Sequence, residues 1–371
     1  MIKNAAVLLP SGPKEFGSVE ALTADVQAFI HRYCDLSPVF EQLAAYYVLL
    51  TWVYDAFNEL PYLRLRGDYG TGKTRTLLVL GSICNRAFFA SGASTVSPLF
   101  HTLDAFRGTL ILDEADFRFS DEKAELVKIL NNGNVKGLPV LRTMMNRQKE
   151  FNPQAFQVFG PKIVAARGSY EDRGLESRFL TEEMGGRPLR GDIPINLPRQ
   201  FNDEALKLRN RLLSYRFRHQ GSTTIDETLL QSDLEPRLNQ ILLPLLSIVP
   251  HADARQAFRN LALRNHSVQA AERGNSLEGH VVEVLHELLL EPSKVVVPIA
   301  EIAAELTQRH GGEYQRPITN RLIGSILRRR LNVLAYKSHG VYVVPGTERA
   351  KVKHLASRYG LDAPQTGPKI Y

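Results

Sequence analysis

Residues 67–74 have the residue types and the spacing that bind a chain of phosphates. The stretch reads Gly-Asp-Tyr-Gly-Thr-Gly-Lys-Thr and matches the pattern G-x-x-x-x-G-K-[ST] at every fixed position. Glycines let backbone N–H groups turn around phosphate oxygens without a steric clash, the lysine reaches the β- and γ-phosphates of ATP, and the final hydroxyl binds Mg²⁺. The predicted nucleotide-binding residues are therefore Gly67, Asp68, Tyr69, Gly70, Thr71, Gly72, Lys73, Thr74 and Arg75.

This pattern predicts a nucleotide site only where a strand precedes it and a helix follows it. Residues 62–66 have the composition of a short strand, and the apolar periodicity of residues 73–84 predicts a helix. The amino terminus of such a helix adds a positive partial charge that favours phosphate. The alternative, a glycine-rich structural loop, would leave this context unexplained.

Two adjacent carboxylates, Asp113 and Glu114, follow a run of four strand-forming residues. A buried parallel strand would present them at its carboxyl end, where ligands of open α/β sheets bind. We expect Asp113 to hold Mg²⁺ through water and Glu114 to act as the general base on the attacking water. The alternative is a strand that ends in an acidic cap.

Composition places few limits on the partners of this protein. The chain has 371 residues and a formal net charge of +7, which permits a polyanionic partner without requiring one. Its two cysteines, Cys34 and Cys84, lie far apart, and the sequence contains no Cys-x-x-Cys motif or Cys/His cluster, so neither a disulfide framework nor a zinc site is expected. With no secretory signal and no apolar stretch of membrane-spanning length, we expect a cytoplasmic protein that does not enter the membrane.

Strand and helix patterns alternate through the first half of the chain, which predicts an α/β fold with a mostly parallel sheet. The predicted strands are 62–66, 86–90, 109–112 and 162–166. A connector rich in glycine and proline follows at 185–198, and helical patterns dominate beyond it. We therefore divide the chain into a helical lead-in (1–37), an ATPase core (38–199), a helical lid (200–277), a helix-helix-helix-hairpin region (278–346) and a basic tail (347–371).

With these motifs, residues 38–346 resemble AAA+ ATPases of the helicase branch, including the MCM-like ATPases of mobile-element replication modules. The resemblance implies an AAA+ P-loop NTPase core with a parallel sheet, a helical lid and a C-terminal winged helix. It also implies ATP and Mg²⁺ as cofactors and self-association into a ring, typically a hexamer. Residues 113–116 spell the box of a two-domain RNA helicase group, but too little α/β sequence follows residue 200 to build a second domain.

The resemblance extends to three arginines. Residues 161–167 resemble the strand that ends in sensor 1, where MCM-like proteins usually have asparagine; this chain leaves Arg167 and Ser169 as alternatives. The Ser-Arg-Phe segment at 177–179 resembles the one that carries the arginine finger, which implies this role for Arg178, with Arg173 in reserve. The alternatives are a surface arginine at 167 and a local ion pair of Arg178 with a neighbouring carboxylate, Asp172 or Glu176.

Residues 234–240 open a helix where the family's lid carries its sensor 2 arginine. This position implies that Arg237 reaches ATP from the lid and reports its hydrolysis. Pro236 is suited to the first turn of such a helix. The alternative is a solvated arginine in that turn.

Two regions are candidates for DNA contact. The interval 138–159 matches the position of the family's pre-sensor hairpin, with strands at 139–142 and 156–159 and a basic tip that contains Arg147 and Lys149. In the winged-helix region the predicted recognition helix, 318–331, and the wing carry Arg321, Arg328 and Lys337. The alternatives are a solvated basic loop and a winged helix that binds protein.

These features and the resemblance predict a ring-forming, ATP-dependent motor that translocates on single-stranded or forked DNA and unwinds it. Its setting, the replication of a mobile element, is implied by the resemblance alone. A primase or another replication protein is an expected partner. The main alternative is an AAA+ initiator, loader or transposition regulator that binds DNA and recruits a partner without unwinding. A remodeller of protein substrates would require an aromatic pore loop, and no such loop is evident.

Overall fold

The computed structural model describes residues 6–91, 94–115, 121–145, 151–170, 172–232, 234–291, 294–314 and 317–361. Its contacts divide the chain into two compact units, Met1–Ala262 and Leu263–Tyr371. None of the described helices combines the length and the apolar composition needed to cross a lipid bilayer.

The first unit contains a parallel sheet, a separate hairpin and the helices packed around them. Its elements, in chain order, are α1 (Val19–Tyr33), α2 (Pro38–Val53), β1 (Tyr62–Arg66), α3 (Lys73–Ile83), β2 (Phe88–Ser91), α4 (Val96–Phe106), β3 (Leu110–Asp113), α5 (Asp121–Asn132), β4 (Val140–Met145), β5 (Phe151–Phe156), β6 (Lys162–Ala166), α6 (Arg173–Glu176), β7 (Phe179–Glu183), α7 (Phe201–His219), α8 (Pro236–Ser247) and the first part of α9 (Ala252–Gly274), which continues into the second unit.

Five strands form the sheet in the order β2-β3-β6-β1-β7, and every neighbouring pair is parallel. The strands are short and mostly buried because helices cover both faces, as parallel sheets require. This confirms the predicted α/β class and its parallel sheet. The fifth strand, β7, was not predicted, since its sequence ends in Thr-Glu-Glu; it is held in place because it pairs with β1 along its whole length.

The hairpin's second strand occupies other residues than those predicted. Strand β4 pairs antiparallel with β5 from Val140 opposite Phe156 to Met145 opposite Phe151. The second strand was therefore predicted wrongly: only the first of residues 156–159 belongs to it. The backbone N–H of Gln157 instead donates to Oδ1 of Asp104, 3.0 Å away. The predicted basic tip, with Arg147 and Lys149, lies outside the described residues.

Helix α2 is buried on nearly all sides, as expected for a helix that is apolar around its circumference. Two of its polar atoms bind backbone groups of neighbouring elements. The Tyr47 hydroxyl contacts the carbonyls of Pro61 and Lys162 at 3.1 and 3.0 Å, and Nε1 of Trp52 donates to the carbonyl of Ile83 at 3.0 Å. The helix therefore fixes the starts of β1 and β6 and the end of α3.

A buried ion pair joins β1 to the segment before β7. The Arg64 guanidinium donates to both oxygens of Glu176, at 2.7 and 2.5 Å, and its Nε donates to Oγ1 of Thr181 at 3.1 Å. Only 1% of the Arg64 side chain and 9% of the Glu176 side chain are exposed. The pair therefore fixes α6 against the sheet and sets the position of the residues that follow it.

The second unit consists of helices and a small antiparallel sheet of order β8-β10-β9. Its elements are α10 (Leu277–Leu290), β8 (Val296–Pro298), α11 (Ile299–His310), α12 (Asn320–Ser325), β9 (Tyr336–Ser338), β10 (Val341–Pro345) and α13 (Arg349–Arg358). The helix predicted at 318–331 is shorter: α12 gives way to one π-helical turn, Ile326–Arg330. Part of the predicted tail is ordered as α13, because Val352 and Ala356 are buried in the core of this unit.

The ion pair between Arg64 and Glu176 predicts a large loss of stability when one partner is neutralised. Glu176→Gln leaves a buried guanidinium without its counter-charge, which should lower the free energy of unfolding by about 3 kcal/mol. Urea denaturation measures this change. Glu183→Gln is the matched control, because Glu183 pairs with Arg66 while 57% of its side chain is exposed; its loss should stay under about 1 kcal/mol. Equal losses of unfolding free energy in the two variants would contradict the assignment of Arg64 and Glu176 as a buried ion pair.

Candidate nucleotide-binding site

The loop after β1 has the conformation that its glycines permit. Gly70 and Gly72 have φ angles of +71° and +88°, which residues with a Cβ rarely adopt. Gly67 is required for a different reason: a Cβ there would lie 2.6 Å from the carbonyl oxygen of Met184. The loop then runs into α3, whose amino terminus begins at Lys73. The predicted order of strand, loop and helix is therefore correct.

The Lys73 ammonium lies across this loop. Its Nζ donates to the carbonyls of Gly67 and Asp68 at 2.7 and 2.6 Å. Phosphate oxygens carry full negative charge and attract an ammonium more strongly than neutral carbonyls do. A bound triphosphate would therefore draw Lys73 away from the loop carbonyls.

Thr74 and Asp113 meet at the carboxyl edge of the sheet. The Thr74 hydroxyl donates to Oδ2 of Asp113 at 2.6 Å, while Oδ1 accepts the backbone N–H of Glu114 at 2.9 Å. A hydroxyl and a carboxylate side by side are the oxygen donors that Mg²⁺ uses together with nucleotide phosphates. These two residues therefore fit the predicted metal site.

Glu114 adopts a left-handed backbone conformation, with φ of +53°. This conformation is unfavourable for glutamate and persists where the surroundings enforce it. Here the next residue, Ala115, donates its N–H to the carbonyl of Ala165 in β6 at 2.9 Å and so returns the chain to the sheet. The turn leaves the Glu114 side chain exposed at the cleft beside the loop.

A cleft of about 360 Å³ brings most of the predicted residues together. Its lining contains the loop residues from Tyr69 onward and the acidic pair from β3; the full set is Tyr69, Gly70, Thr71, Gly72, Lys73, Thr74, Arg75, Asp113, Glu114, Ala165, Ala166 and Arg167. Gly67 and Asp68 contribute through their carbonyls to Lys73. Arg75 also donates to the carbonyls of Pro194, at 2.9 Å, and Ile195 in the connector.

The end of β6 lies between the two motifs because β6 pairs with both β1 and β3. Arg167 follows that strand and lines the cleft, with its guanidinium 4.0 Å from the centre of the Tyr69 ring and a hydrogen bond to the Tyr69 hydroxyl. Ser169 accepts a hydrogen bond from Arg66 and does not line the cleft. The geometry therefore favours Arg167 for the γ-phosphate side of the site.

A second cleft, of about 440 Å³, shares Gly70, Thr71 and Gly72 with the first and was not predicted. Its other walls come from residues 35–37, before α2, and from residues 182–189, which form the end of β7 and the segment after it. Glu182 joins the two walls, because its carboxylate accepts the N–H of Ser37 at 2.6 Å and the Ser37 hydroxyl at 2.8 Å. The glycine pair at 185–186 could have indicated this cleft, but the sequence analysis assigned these residues only to a connector.

Arg178 lies at the opposite edge of the sheet from this loop. Its Nε donates to Oδ1 of Asn134 at 2.7 Å, and its other nitrogens donate to the carbonyls of Asn131, at 3.2 Å, and Gly174. The backbone carbonyl of Arg178 accepts the N–H of Tyr62, the first residue of β1. Of the two alternative partners for a local ion pair, Glu176 binds Arg64, whereas the Asp172 carboxylate lies close enough to Arg178 to oppose the lowering of its pKa that burial causes.

Arg237 lies near Arg178 rather than near the phosphate-binding loop. Burial, and after it the Arg237 guanidinium, lower the pKa of Arg178. Burial raises the pKa of the Tyr62 hydroxyl, and both arginines oppose that rise. Tyr62 and Arg66 are four residues apart, so the two edges of the sheet are roughly 13 Å apart. Arg237 thus lies on the Arg178 side of the sheet, and its predicted contact with ATP stays a prediction.

The predicted DNA contacts in the second unit are exposed. Arg321 and Lys337 are exposed on α12 and β9, and the Arg328 guanidinium lies 5.3 Å from the centre of the Tyr342 ring in β10. Arg330 forms an ion pair with Glu278 of α10. The three predicted residues thus lie on the helix and the strand pair to which the sequence assigned them.

No family model matches the chain, and no curated protein does. Among solved structures, the apo C-terminal region of NrS-1 is similar with 15% identity and a TM-score of 0.42, over 90% of this chain and 77% of that one. The active helicase Cch of SCCmec type IV is similar with 12% identity and a TM-score of 0.36, over 94% and 72%. A full-length MCM homolog from Methanopyrus kandleri has 11% identity and a TM-score of 0.35, over 94% and 62%. Scores of this size describe a loose backbone likeness, so function must be inferred from this chain's own residues.

The packing of Gly185 against Thr71 predicts a selective loss of nucleotide affinity. Gly185 has φ of +89°, and a Cβ there would lie 2.5 Å from Cγ2 of Thr71. Gly185→Ala should therefore displace the loop and weaken ATP binding about tenfold, measured by titration with a fluorescent ATP analogue. Gly186→Ala is the control, because its Cβ would meet nothing within 4 Å. Equal affinities for both variants would refute the proposed close packing.

Proposed function

We propose that the chain is an ATP-dependent DNA-translocating AAA+ motor that assembles into a ring, in the first instance a hexamer. Its setting would be the replication of a mobile element, as a replicative DNA helicase. The residues 200–277 would act as the lid and 278–346 as a winged helix. The observation that best supports this proposal is that the candidate site and the two arginines, Arg178 and Arg237, lie at opposite edges of one sheet.

The chemistry at the carboxyl edge follows from the residues present. Lys73 and the loop amides would hold the β- and γ-phosphates, and Mg²⁺ would be held by Thr74 and, through water, by Asp113. Glu114 would orient and deprotonate the attacking water. Arg167 would contact the γ-phosphate after leaving the Tyr69 ring. The second cleft, at the other side of the loop, has room for the nucleoside.

Arg178 and Arg237 would act on ATP only if a neighbouring subunit brought its triphosphate to them. Arg178 is held by Asn131, Asn134 and Gly174, and Nε of Arg237 is buried without a hydrogen-bond partner among the described residues. Burial and then the Arg237 guanidinium lower the pKa of Arg178, and a polyanion placed against the two arginines would stabilise their charge. In a head-to-tail ring this edge would face the triphosphate of the next subunit, where an arginine stabilises transition-state charge.

The same edge leads directly to the hairpin. Asn134, which holds Arg178, lies on the segment that connects α5 to β4. A change at Arg178 on ATP hydrolysis would therefore reach the β4–β5 hairpin through a few residues. Arg147 and Lys149 between these strands would grip the phosphate backbone of single-stranded or forked DNA without reading its sequence.

Exposed apolar side chains around the β9–β10 pair, the predicted wing, favour a second function. The side chains of Leu334, Tyr336, Val341 and Tyr342 are 42–55% exposed around the β9–β10 pair. Apolar side chains at this position suit a protein partner better than a phosphate backbone. This supports the alternative of an AAA+ initiator, loader or transposition regulator that recruits a partner such as a primase.

The motor hypothesis predicts ATP hydrolysis that DNA stimulates. Steady-state hydrolysis should rise at least tenfold with single-stranded DNA, and Arg147→Ala/Lys149→Ala should abolish that rise while leaving hydrolysis without DNA unchanged, because only the phosphate contact is removed. Lys73→Ala sets the blank. Hydrolysis that is brisk but indifferent to DNA would instead favour the partner-recruiting switch.

The ring hypothesis predicts complementation between two inactive variants. Arg178→Ala should bind ATP normally but hydrolyse it at least 100-fold more slowly, because the finger stabilises only the transition state. Mixing it with Lys73→Ala should restore part of the rate, since some interfaces then join an intact loop to an intact Arg178. Arg173→Ala is the matched control and should retain the wild-type rate. Mixtures that stay inactive would exclude action between subunits.

A further inference from the structure

A cluster of histidine and carboxylate side chains lies in the second unit, away from the candidate nucleotide site. His280 and Glu283 are one turn apart on α10, and His310 is the last residue of α11, which packs against α10. One ligand atom from each of the three side chains lies within 4.8 Å of the others. The His280 side chain is only 9% exposed, so this polar group is buried in an otherwise apolar region.

The orientation of both rings is set from outside the cluster. Nδ1 of His280 lies 2.7 Å from the Tyr314 hydroxyl, and Nδ1 of His310 lies 3.0 Å from a carboxylate oxygen of Glu313. With Nδ1 of each ring held in this way, Nε2 is the nitrogen that each imidazole offers. Outer partners of this kind fix the tautomer and orientation of metal-binding histidines.

The third side chain supplies the negative charge. Oε2 of Glu283 lies 3.4 Å from Nε2 of His310, and the two imidazole rings are stacked at 3.7 Å with only 9° between their planes. The carboxylate and the two rings therefore meet at one place between α10 and α11.

We propose that His280, Glu283 and His310 bind one divalent transition-metal ion, in the first instance Zn²⁺, which fastens α10 to α11. Two imidazoles and a carboxylate are a ligand set that Zn²⁺ accepts, with water in the fourth position. Ligands at the usual zinc distance lie about 3.4 Å from one another. The three side chains must therefore close by rotation, and the two rings must tilt out of their parallel stack.

The site is tested on the untagged full chain, stripped with EDTA and free of nucleotide. Competition with a chromophoric chelator should show one tight Zn²⁺ per chain, and added Zn²⁺ should raise the Tm of the second unit's transition. Glu283→Gln and His310→Gln should each weaken Zn²⁺ binding at least tenfold while retaining the helix content of the wild type. Asp113→Asn removes the other divalent-cation ligand and should leave this binding unchanged.

The matched control is His286→Gln, a histidine on α10 that lies outside the cluster and should bind Zn²⁺ as the wild type does. Wild-type protein that shows neither chelator competition nor a Tm shift in excess Zn²⁺ would overturn the proposal. So would Glu283→Gln and His310→Gln variants with wild-type affinity, since the ion would then be bound elsewhere. Because the cluster contains no residue of the nucleotide site, these outcomes are independent of ATP hydrolysis.

Discussion

The pairing of β6 with both β1 and β3 is the constraint on which the candidate site depends. Because this strand lies between the other two, the phosphate-binding loop, the acidic turn and Arg167 leave the sheet side by side at one edge. The backbone N–H of Ala115 bonds to β6 as well, so the turn at Glu114 is built on the same strand. A sheet with β1 and β3 as direct neighbours would leave no place for Arg167 between them.

The amino edge of the sheet is organised by buried charge. Lys162 is fully buried at the start of β6, where its Nζ donates to the carbonyls of Gly133, Val158 and Gly160 at 3.1, 2.9 and 3.0 Å. These bonds hold the segments that flank the hairpin. Arg64 and Glu176 hold α6 nearby, so Arg178 projects from a segment that is fixed on both sides. An arginine that acts on a neighbour's phosphate would need a fixed position and orientation of this kind.

In the proposed ring, the two edges would divide the work of one ATPase cycle between two subunits. The carboxyl edge holds the residues that would bind phosphate, metal and water, and the amino edge holds the residues that would complete a neighbour's site. The segment from α5 to β4 links the second group to the hairpin. This division explains physically why a single chain would be a poor hydrolase and why assembly would control it.

The sequence by itself determined the chemistry that depends on local spacing. The loop at 67–74, the acidic pair and the strands that precede them follow from residue types a few positions apart, because phosphate binding needs glycine, lysine and threonine in one turn. The apolar periodicity of residues 73–84 likewise predicted α3, since burial of one helical face is a local pattern.

Tertiary structure alone decided which distant residues meet. Strand β7 exists because β1 and Glu182's bonds to Ser37 hold it, although its own sequence is charged. The resemblance implied that Arg237 reaches ATP, and the packing of α8 places this residue near Arg178, since contacts between helices and sheet have no local signature. The register of the hairpin and the meeting of His280 with His310 were likewise set by packing between elements distant in the chain.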